Sequence, residues 1–369
     1  MRILLDYRPA LTARTGAGEY AHHLATSLVP RLAPADTLTV FSSSWRDRLP
    51  RDAVPGARHV DARVPVRVLN LAWHRFAWPP VEWFAGPLDI AQSMHPLLLP
   101  ARKAARFISI YDLYFLDHAE HTTAEIRRDY PVLVGPHARA ADGVVVISSY
   151  TKEQVQERLG VPADRIVVCP LGAPAWPART APSPDGPILF VGTIEPRKNV
   201  LGLLRAYETL LARLPDAPPL VIAGRAGRGS DAVYERISQA PLAGRVRALG
   251  YVTDAERQRL YAQASLLVLP SFEEGFGLPV LEAMTVGVPV VAARRGALPE
   301  VAGEAGRLVD PDDPDAIAGA MEEVLTSAGL RARLTEAGIR RATQFTWDRS
   351  AARLYSAYQA ALERRGARG

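Results

Sequence analysis

The chain has 369 residues, and at roughly 150 residues per domain this length points to two domains or one large one and excludes a small stapled scaffold. With 48% hydrophobic and 22% charged residues it has the composition of an ordinary globular protein, which excludes disorder and collagen-like repeats. The formal charge is +5, with 20 basic and 17 acidic residues in 1–172 and 24 and 22 in the remainder, so neither half is a nucleic-acid-binding tail.

The first residues, MRILLDYRP, meet Asp6 too early for a secretory leader and read as a strand from Arg2 to Asp6. No apolar run reaches the roughly 18 residues of a membrane span. Gly18 to Leu32 has helical spacing, and Thr37 to Ser42 alternates as a strand. Phe107 to Ile110 and Gly143 to Ile147 are short β-branched runs suited to buried parallel strands. Cys169 is the only cysteine, so no intramolecular disulfide forms and the cytoplasm is the expected compartment; its apolar strand context suits packing better than nucleophilic work. A proline-dense stretch, 173–187 (APAWPARTAPSPDGP), carries no hydrophobic period and reads as a linker.

Beyond it the alternation is cleaner. Strands are expected at Ile188 to Gly192, Pro219 to Ala223, Val246 to Leu249, Ser265 to Leu269 and Val288 to Ala292, with helices between them such as Val200 to Leu214 and Asp254 to Ala264. The tail from Thr346 to Arg365 is helical, with Trp347, Leu354, Tyr355, Tyr358 and Leu362 on one stripe. The fold class is α/β, with two Rossmann-like doubly wound domains facing a central cleft. The expected divisions are 1–172, the linker 173–187, 188–345, and a helix at 346–369 that packs back on the first domain.

The most informative segment runs from Leu269 through Glu274-Gly275-Phe276-Gly277-Leu278-Pro279 to Glu282-Ala283-Met284. It leaves a strand, passes a glycine pair and enters a helix with Pro279 in its first turn. Gly275 and Gly277 let a ligand approach the backbone, and the N–H groups of Gly277 and Leu278 lie at the positive end of the helix. Glu274 in the loop and Glu282 in the first helical turn could grip hydroxyls on either side of a diphosphate. The same residues would also suit a capped helix with acidic side chains near its amino end. A second element favours the cradle: Gly192-Thr193-Ile194-Glu195-Pro196-Arg197-Lys198-Asn199 leaves the first strand of the same domain and brings in a basic pair suited to phosphate. Of 44 basic residues 41 are Arg, and Lys198 is one of only three lysines, with Lys103 and Lys152.

Residues 188–310 resemble the donor-binding domain of retaining glycosyltransferases of family 4, which have the two-Rossmann GT-B fold; Glu274 through Glu282 matches their Glu-x7-Glu signature. The resemblance extends over nearly the whole chain and is weaker in the first half. It implies a nucleoside diphosphate sugar as co-substrate, with Glu274 on the transferred sugar, Glu282 on the ribose, and Lys198 with Arg197 on the diphosphate. Glu274, Lys198 and Arg197 would carry the catalysis. Glu282, Gly275, Phe276, Gly277, Leu278, Gly192, Thr193, Gly250, Tyr251 and Val252 would line the donor, the last three against the base. Many members carry Arg where this chain has Thr193, which leaves the basic role to Arg197 and Lys198. The Gly-Thr-Ile-Glu-Pro-Arg-Lys-Asn variant is similar to bacterial enzymes that build O-antigen or related polysaccharides, often mannosyltransferases.

In the first half, Thr15-Gly16-Ala17-Gly18 opens the first helix; Gly16 and Gly18 could bring backbone N–H groups near the donor phosphate or acceptor, or simply make a tight turn. Relatives often read His-Asp-Leu where this chain has Tyr111-Asp112-Leu113, so Tyr111 and Asp112 are placed on the acceptor side. All eight histidines lie between His22 and His137, and His95, His118 and His121 are further candidates. The stretch 63–84 interleaves three tryptophans with Arg63, Arg67 and Arg75; it suits either a packed helix ended by Pro79-Pro80 or peripheral contact with an anionic membrane on the cytosolic face. The Asp310-Pro311-Asp312 spacing reads as a turn before a helix, and no metal or other cofactor is expected. The expected activity is retaining, metal-independent transfer of a hexose, mannose favoured, to a saccharide or lipid-linked saccharide, with no nucleic-acid partner. A nucleotide-sugar 2-epimerase of the same fold and a non-catalytic nucleotide-sugar-binding subunit are the alternatives.

Overall fold

The computed structural model describes residues 1–11, 16–122, 124–181 and 183–367, without the side chains of His121 and Glu125. The chain divides into two compact units, Met1–Gly172 with Thr346–Gly369, and Ala173–Phe345.

The first unit holds seven strands: β1 (Arg2–Asp6), β2 (Thr37–Ser42), β3 (Arg58–Asp61), β4 (Ile90–Gln92), β5 (Ala105–Ile110), β6 (Gly143–Val146) and β7 (Ile166–Val168). They form one parallel sheet in the order β3-β2-β1-β4-β5-β6-β7. In register, Leu4 of β1 lies between Thr39 and Ala91. The second unit holds β8 (Ile188–Val191), β9 (Leu220–Ala223), β10 (Val246–Gly250), β11 (Leu266–Leu269), β12 (Val290–Ala293) and β13 (Gly306–Val309), parallel and in the order β10-β9-β8-β11-β12-β13. Helices cover both faces of such sheets, so their central strands are continuous apolar runs: ILFV, LVIA, LLVL and VVAA are buried at every position. In each unit the first strand sits beside the fourth. The chain reverses its direction of winding there, which opens a crevice at the carboxyl ends of those two strands.

The expected strands are present with shifts of a residue or two at their ends. Four short ones, β3, β4, β7 and β13, were not expected from the sequence. The first helix ends at Leu28 and is followed by a 3-10 turn, Val29–Arg31, because Pro30 cannot continue the ladder. The proline-dense stretch is not a free spacer. The Arg179 N–H and guanidinium donate to the carbonyls of Val286 and Ala264 at 2.9 and 2.6 Å, and the Trp176 ring lies 5.8 Å from Tyr261, so the stretch is strapped to the second unit.

The C-terminal helix, Trp347–Gly366, belongs to the first unit. It buries Ala351, Leu354, Tyr358 and Ala361; Tyr358 meets Phe107 edge-to-face at 4.9 Å and donates to Gln92 Oε1 at 3.3 Å. No helix among the described residues is long and apolar enough to cross a membrane.

At the carboxyl end of β1, fully buried Asp6 receives three hydrogen bonds from Arg8, at 2.7–3.1 Å, and lies 2.8 Å from His95 Nε2. Burial pushes the Asp6 carboxyl up, but Arg8 and His95 beside it hold it below its usual range. Removing one partner of a buried pair strands the other charge. Asp6→Ala is therefore expected to cost about 3–5 kcal/mol, whereas Arg340→Ala, which breaks an exposed pair with Glu336, should stay within about 0.5 kcal/mol. Denaturant unfolding of both variants checks this; equal small losses would show that the Asp6 pair is not a structural anchor.

Candidate functional site

The switch point of the second unit lies between β8 and β11, and the loops leaving these two strands build the site. After β8 the backbone opens at Gly192, with φ 154°, where the stem of Lys198 runs alongside: a Cβ at Gly192 would stand 3.6 Å from Lys198 Cε. A 3-10 turn, Pro196–Lys198, then delivers Arg197 and Lys198. Asn199 follows in the left-handed region at φ 54° and caps the helix Val200–Arg213 by accepting from the Gly202 N–H. Its amide also donates to the carbonyls of Pro270 and Pro311 at 3.2 and 2.8 Å, so one side chain ties the β8 loop to the β11 loop.

The second loop brings Glu274 to the basic pair. Lys198 Nζ lies 2.5 Å from Glu274 Oε1, Ser271 Oγ donates to the same oxygen at 2.8 Å, and Arg197 reaches Oε2 at 3.3 Å. Arg197 is steadied by Glu195 at 2.8 Å and by the Glu273 carbonyl at 3.0 Å. Lys198 and Glu274 are both buried. Burial alone would raise the Glu274 carboxyl, but Lys198, Arg197 and Ser271 hold it below its usual value, so it is an anion at neutral pH. Gly296, at φ 59°, closes over the backbone of Glu274: a Cβ there would stand 2.7 Å from the Glu274 carbonyl, and the Ala297 N–H donates to that carbonyl at 2.9 Å.

Gly277, at φ 102°, begins the helix Leu278–Val286, with Pro279 in its first turn. A side chain at Gly277 would run into Leu298. Phe276 is buried against Phe345 at 5.7 Å, so it props the loop from below, while Phe272 is the exposed ring of the loop. Glu282 differs from expectation. It falls in the second turn of the helix, is buried, and pairs with Arg257 at 3.2 Å, beneath which lies the Trp176 ring. Arg257 carries no sequence signal in a chain this rich in arginine.

The exits of β9 and β10 adjoin the β8 loop. A Cβ on Gly224 would stand 1.9 Å from the Gly192 carbonyl, the Gly224 N–H donates to the Gly250 carbonyl at 2.8 Å, and Ile194 N–H donates to the Arg225 carbonyl at 2.9 Å. Gly250 is at φ 70°, and the half-exposed Tyr251 beyond it carries the Arg225 guanidinium 4.5 Å over its ring. Thr193 is exposed beside this cluster, with Val252 part-buried one residue past Tyr251. Arg225 is a further residue that sequence reasoning missed.

The expected acceptor-side residues lie in the first unit. Thr15 lies outside the described residues. Gly16 and Gly18 open the helix Gly16–Leu28, and a Cβ at Gly18 would meet the Pro9 carbonyl at 2.6 Å, so close packing on the β1 exit requires a glycine there. The Tyr111 hydroxyl donates to the Met94 carbonyl at 2.9 Å, and burial pushes the phenol above its usual pKa. Asp112 accepts from the Tyr114 N–H at 3.2 Å at the start of a short helix. Of the histidines, His95 joins Asp6, Arg8 and Asn70, whose Oδ1 accepts from Arg8 at 2.7 Å, in a polar cluster at the switch point between β1 and β4. His118 is half-buried beside Glu120, and the His121 side chain lies outside the described residues.

The remaining candidates are structural. Asp313 caps the helix Pro314–Thr326, Asp310 accepts from the Asp312 N–H, and both Asp310 and Asp312 face Arg295. Burial pushes the Cys169 thiol up to about 12, which makes it an inert packing group. Among the described residues no three His, Cys, Asp or Glu side chains gather as metal ligands.

Residues 177–341 match the family described as glycosyl transferases group 1, and residues 15–172 match the glycosyl transferase 4-like domain. The chain is 37% identical to the O-antigen chain mannosyltransferase B of Escherichia coli, over 97% of this chain and 100% of that one. It is 32% identical to the phosphatidyl-myo-inositol mannosyltransferase of Mycolicibacterium smegmatis, over 93% of this chain and 90% of the relative. Among solved structures, the sucrose-phosphate synthase of Thermosynechococcus elongatus superposes with a TM-score of 0.77 at 20% identity, over 97% of this chain and 98% of that one, which shows a shared fold.

Proposed function

The chain belongs to the group 1 glycosyl transferases, with the GT-B fold, and we propose that it is a retaining, metal-independent enzyme that moves a hexose, mannose favoured, from a nucleoside diphosphate sugar to a saccharide or lipid-linked saccharide. The observation that carries this reading is the meeting of Lys198, Arg197 and Glu274 at the switch point of the second unit, beside the amino end of the helix Leu278–Val286. The likeness to two mannosyltransferases supports the choice of sugar.

In this reading Lys198 and Arg197 neutralise the diphosphate as it leaves, with the helix terminus at Gly277 and Leu278 adding its partial charge. Two cationic side chains do there what a divalent ion does in other transferases. Glu274 then turns to the hydroxyls of the sugar and fixes its orientation. Glu282, held by Arg257, is positioned for the ribose, and Tyr251 with Val252 for the base. The bond from the anomeric carbon to the diphosphate breaks while the acceptor oxygen bonds to the same face. The acceptor proton passes to the departing phosphate oxygen, so no protein base is required. That suits a first unit in which the Tyr111 phenol is too weakly acidic to serve as one. The acceptor-side group favoured there is His95, oriented by Asp6, ahead of Tyr111 and Asp112.

Two outcomes follow. Lys198→Ala should weaken binding of a nucleoside diphosphate at least about tenfold, the loss of one charge-assisted contact of about 1.5–3 kcal/mol, while Lys103→Ala and Lys152→Ala leave it unchanged; isothermal calorimetry across GDP, UDP, TDP and ADP measures this. Equal affinities in all three variants would remove Lys198 from the site. An α-linked donor should yield an α-glycoside, read by NMR of the new anomeric centre, and a β-product would sink the retaining mechanism.

A further inference from the structure

The strands β8 and β11 that carry the Lys198–Glu274 loops at their carboxyl ends border a cavity at their amino ends. It has a volume of about 400 Å³ and lies between the strapped stretch 173–187, Ser265 and the helix Ala328–Ala342. Pro184, Ala332 and Ile339 give it apolar walls, and its charged lining is Arg179, Arg331 and Glu336. Glu336 is exposed and paired with Arg340, which leaves the two guanidinium groups facing the cavity without a carboxylate partner among the described residues.

Arg179 is the less satisfied of the two. Its guanidinium donates to the Ala264 carbonyl at 2.6 Å, but its Nε–H is buried and has no hydrogen-bond partner among the described residues. Burial also pulls its pKa below the usual value, with no acid beside it to offset the loss of hydration. A buried donor lacking an acceptor is costly, and more so when it carries charge. Arg331 spends one amino group on the carbonyls of Val324 and Leu325, at 3.1 and 2.5 Å. A carboxylate accepts two parallel bonds from the edge of a guanidinium. There is room for an apolar body behind it, since benzene fills an engineered apolar cavity of about 150 Å³.

The walls also hold the far end of the helix that begins at the donor cradle. The Arg179 main-chain N–H donates to the Val286 carbonyl at 2.9 Å, Thr335 Oγ1 donates to the Gly287 carbonyl at 3.2 Å, and Ile339 Cδ1 would stand 3.1 Å from a Cβ on Gly287. The helix Leu278–Val286 has nine residues, so roughly 13 Å separate this end from the N–H groups at Gly277 and Leu278.

We propose that this cavity binds a small carboxylate with an apolar body, and that the bound ligand strengthens the donor site by bracing the carboxyl end of the helix Leu278–Val286. The binding site stands apart from the catalytic reading; its action on the donor site rests on that reading.

Equilibrium dialysis of phenylacetate against the full-length protein tests the site. Saturable binding to one site is expected, weakened at least about tenfold when the uncharged phenylacetamide replaces phenylacetate or when Arg179→Met removes the guanidinium and keeps the apolar stem. Ala332→Trp, made at an exposed position of the wall, should fill the cavity and block binding with circular dichroism unaltered. Absence of saturable binding, equal binding of the amide, or binding undiminished in both variants overturns the site. Calorimetry with GDP, UDP, TDP and ADP then reads the coupling: saturating phenylacetate should raise nucleoside diphosphate affinity at least about fivefold, and the nucleotide should raise phenylacetate affinity by the same factor. Phenylacetate binding with unaltered nucleotide affinity overturns the action on the donor site. Absence of any nucleotide binding removes that action together with the catalytic reading and leaves the dialysis result standing.

Discussion

The second unit is organised around one buried ion pair, Lys198 with Glu274. Withdrawing both charges from water is costly, and the surrounding structure is arranged to offset that cost: Ser271 and Arg197 add hydrogen bonds to the carboxylate, Asn199 ties together the two loops that carry the pair, and Gly296 closes over the Glu274 backbone. A pair of this kind is weak evidence for stability as such. Hydrophobic residues of the same volume would hold the loops as well or better. Its place at the carboxyl ends of β8 and β11, where an open parallel sheet forms its ligand crevice, suits work done on a ligand.

In the proposed reading the pair would also set the order of events on donor binding. Without a donor, the cations that would meet a diphosphate are occupied by the carboxylate that would meet the sugar. In the proposed reading a donor would satisfy both at once: phosphate oxygens would replace Glu274 on Lys198 and Arg197, and sugar hydroxyls would replace the cations on Glu274. Nucleotide lacking a sugar replaces only half of these contacts. The arrangement would then favour the complete donor over its product and help release of the nucleoside diphosphate after transfer.

The parts of this structure that could be read from the sequence are those with local causes. β8, β9, β11 and β12 are short runs of buried residues bounded by glycine and proline, and the Glu274 and Lys198 loops combine glycine, proline and charge at fixed spacing. β4 has three residues, and β13 places the exposed Arg307 inside an apolar run, so neither leaves a periodic signal. The Asp6–His95 contact joins residues 89 positions apart, and Arg257 meets Glu282 from another helix; such contacts exist only once the sheets have formed. Tyr111 is a further case: its place in a familiar pattern suggested a substrate contact, and no local signal told that its hydroxyl is bound to the Met94 carbonyl.

Both units use the same strand order and both set a buried acid beside a basic partner at the switch point, Asp6 with Arg8 in the first and Glu274 with Lys198 in the second. They differ in commitment: Arg8 holds both oxygens of Asp6, while Lys198 and Arg197 each hold one oxygen of Glu274 and can be drawn off by a stronger anion. Calorimetric titration of a nucleoside diphosphate into Glu274→Gln tests this exchange most directly. Removing the competing carboxylate should leave nucleotide affinity undiminished or raise it, by up to about tenfold, even as sugar transfer is lost. An affinity that falls as far as that of Lys198→Ala would contradict the exchange and make Glu274 a support for the phosphate site instead.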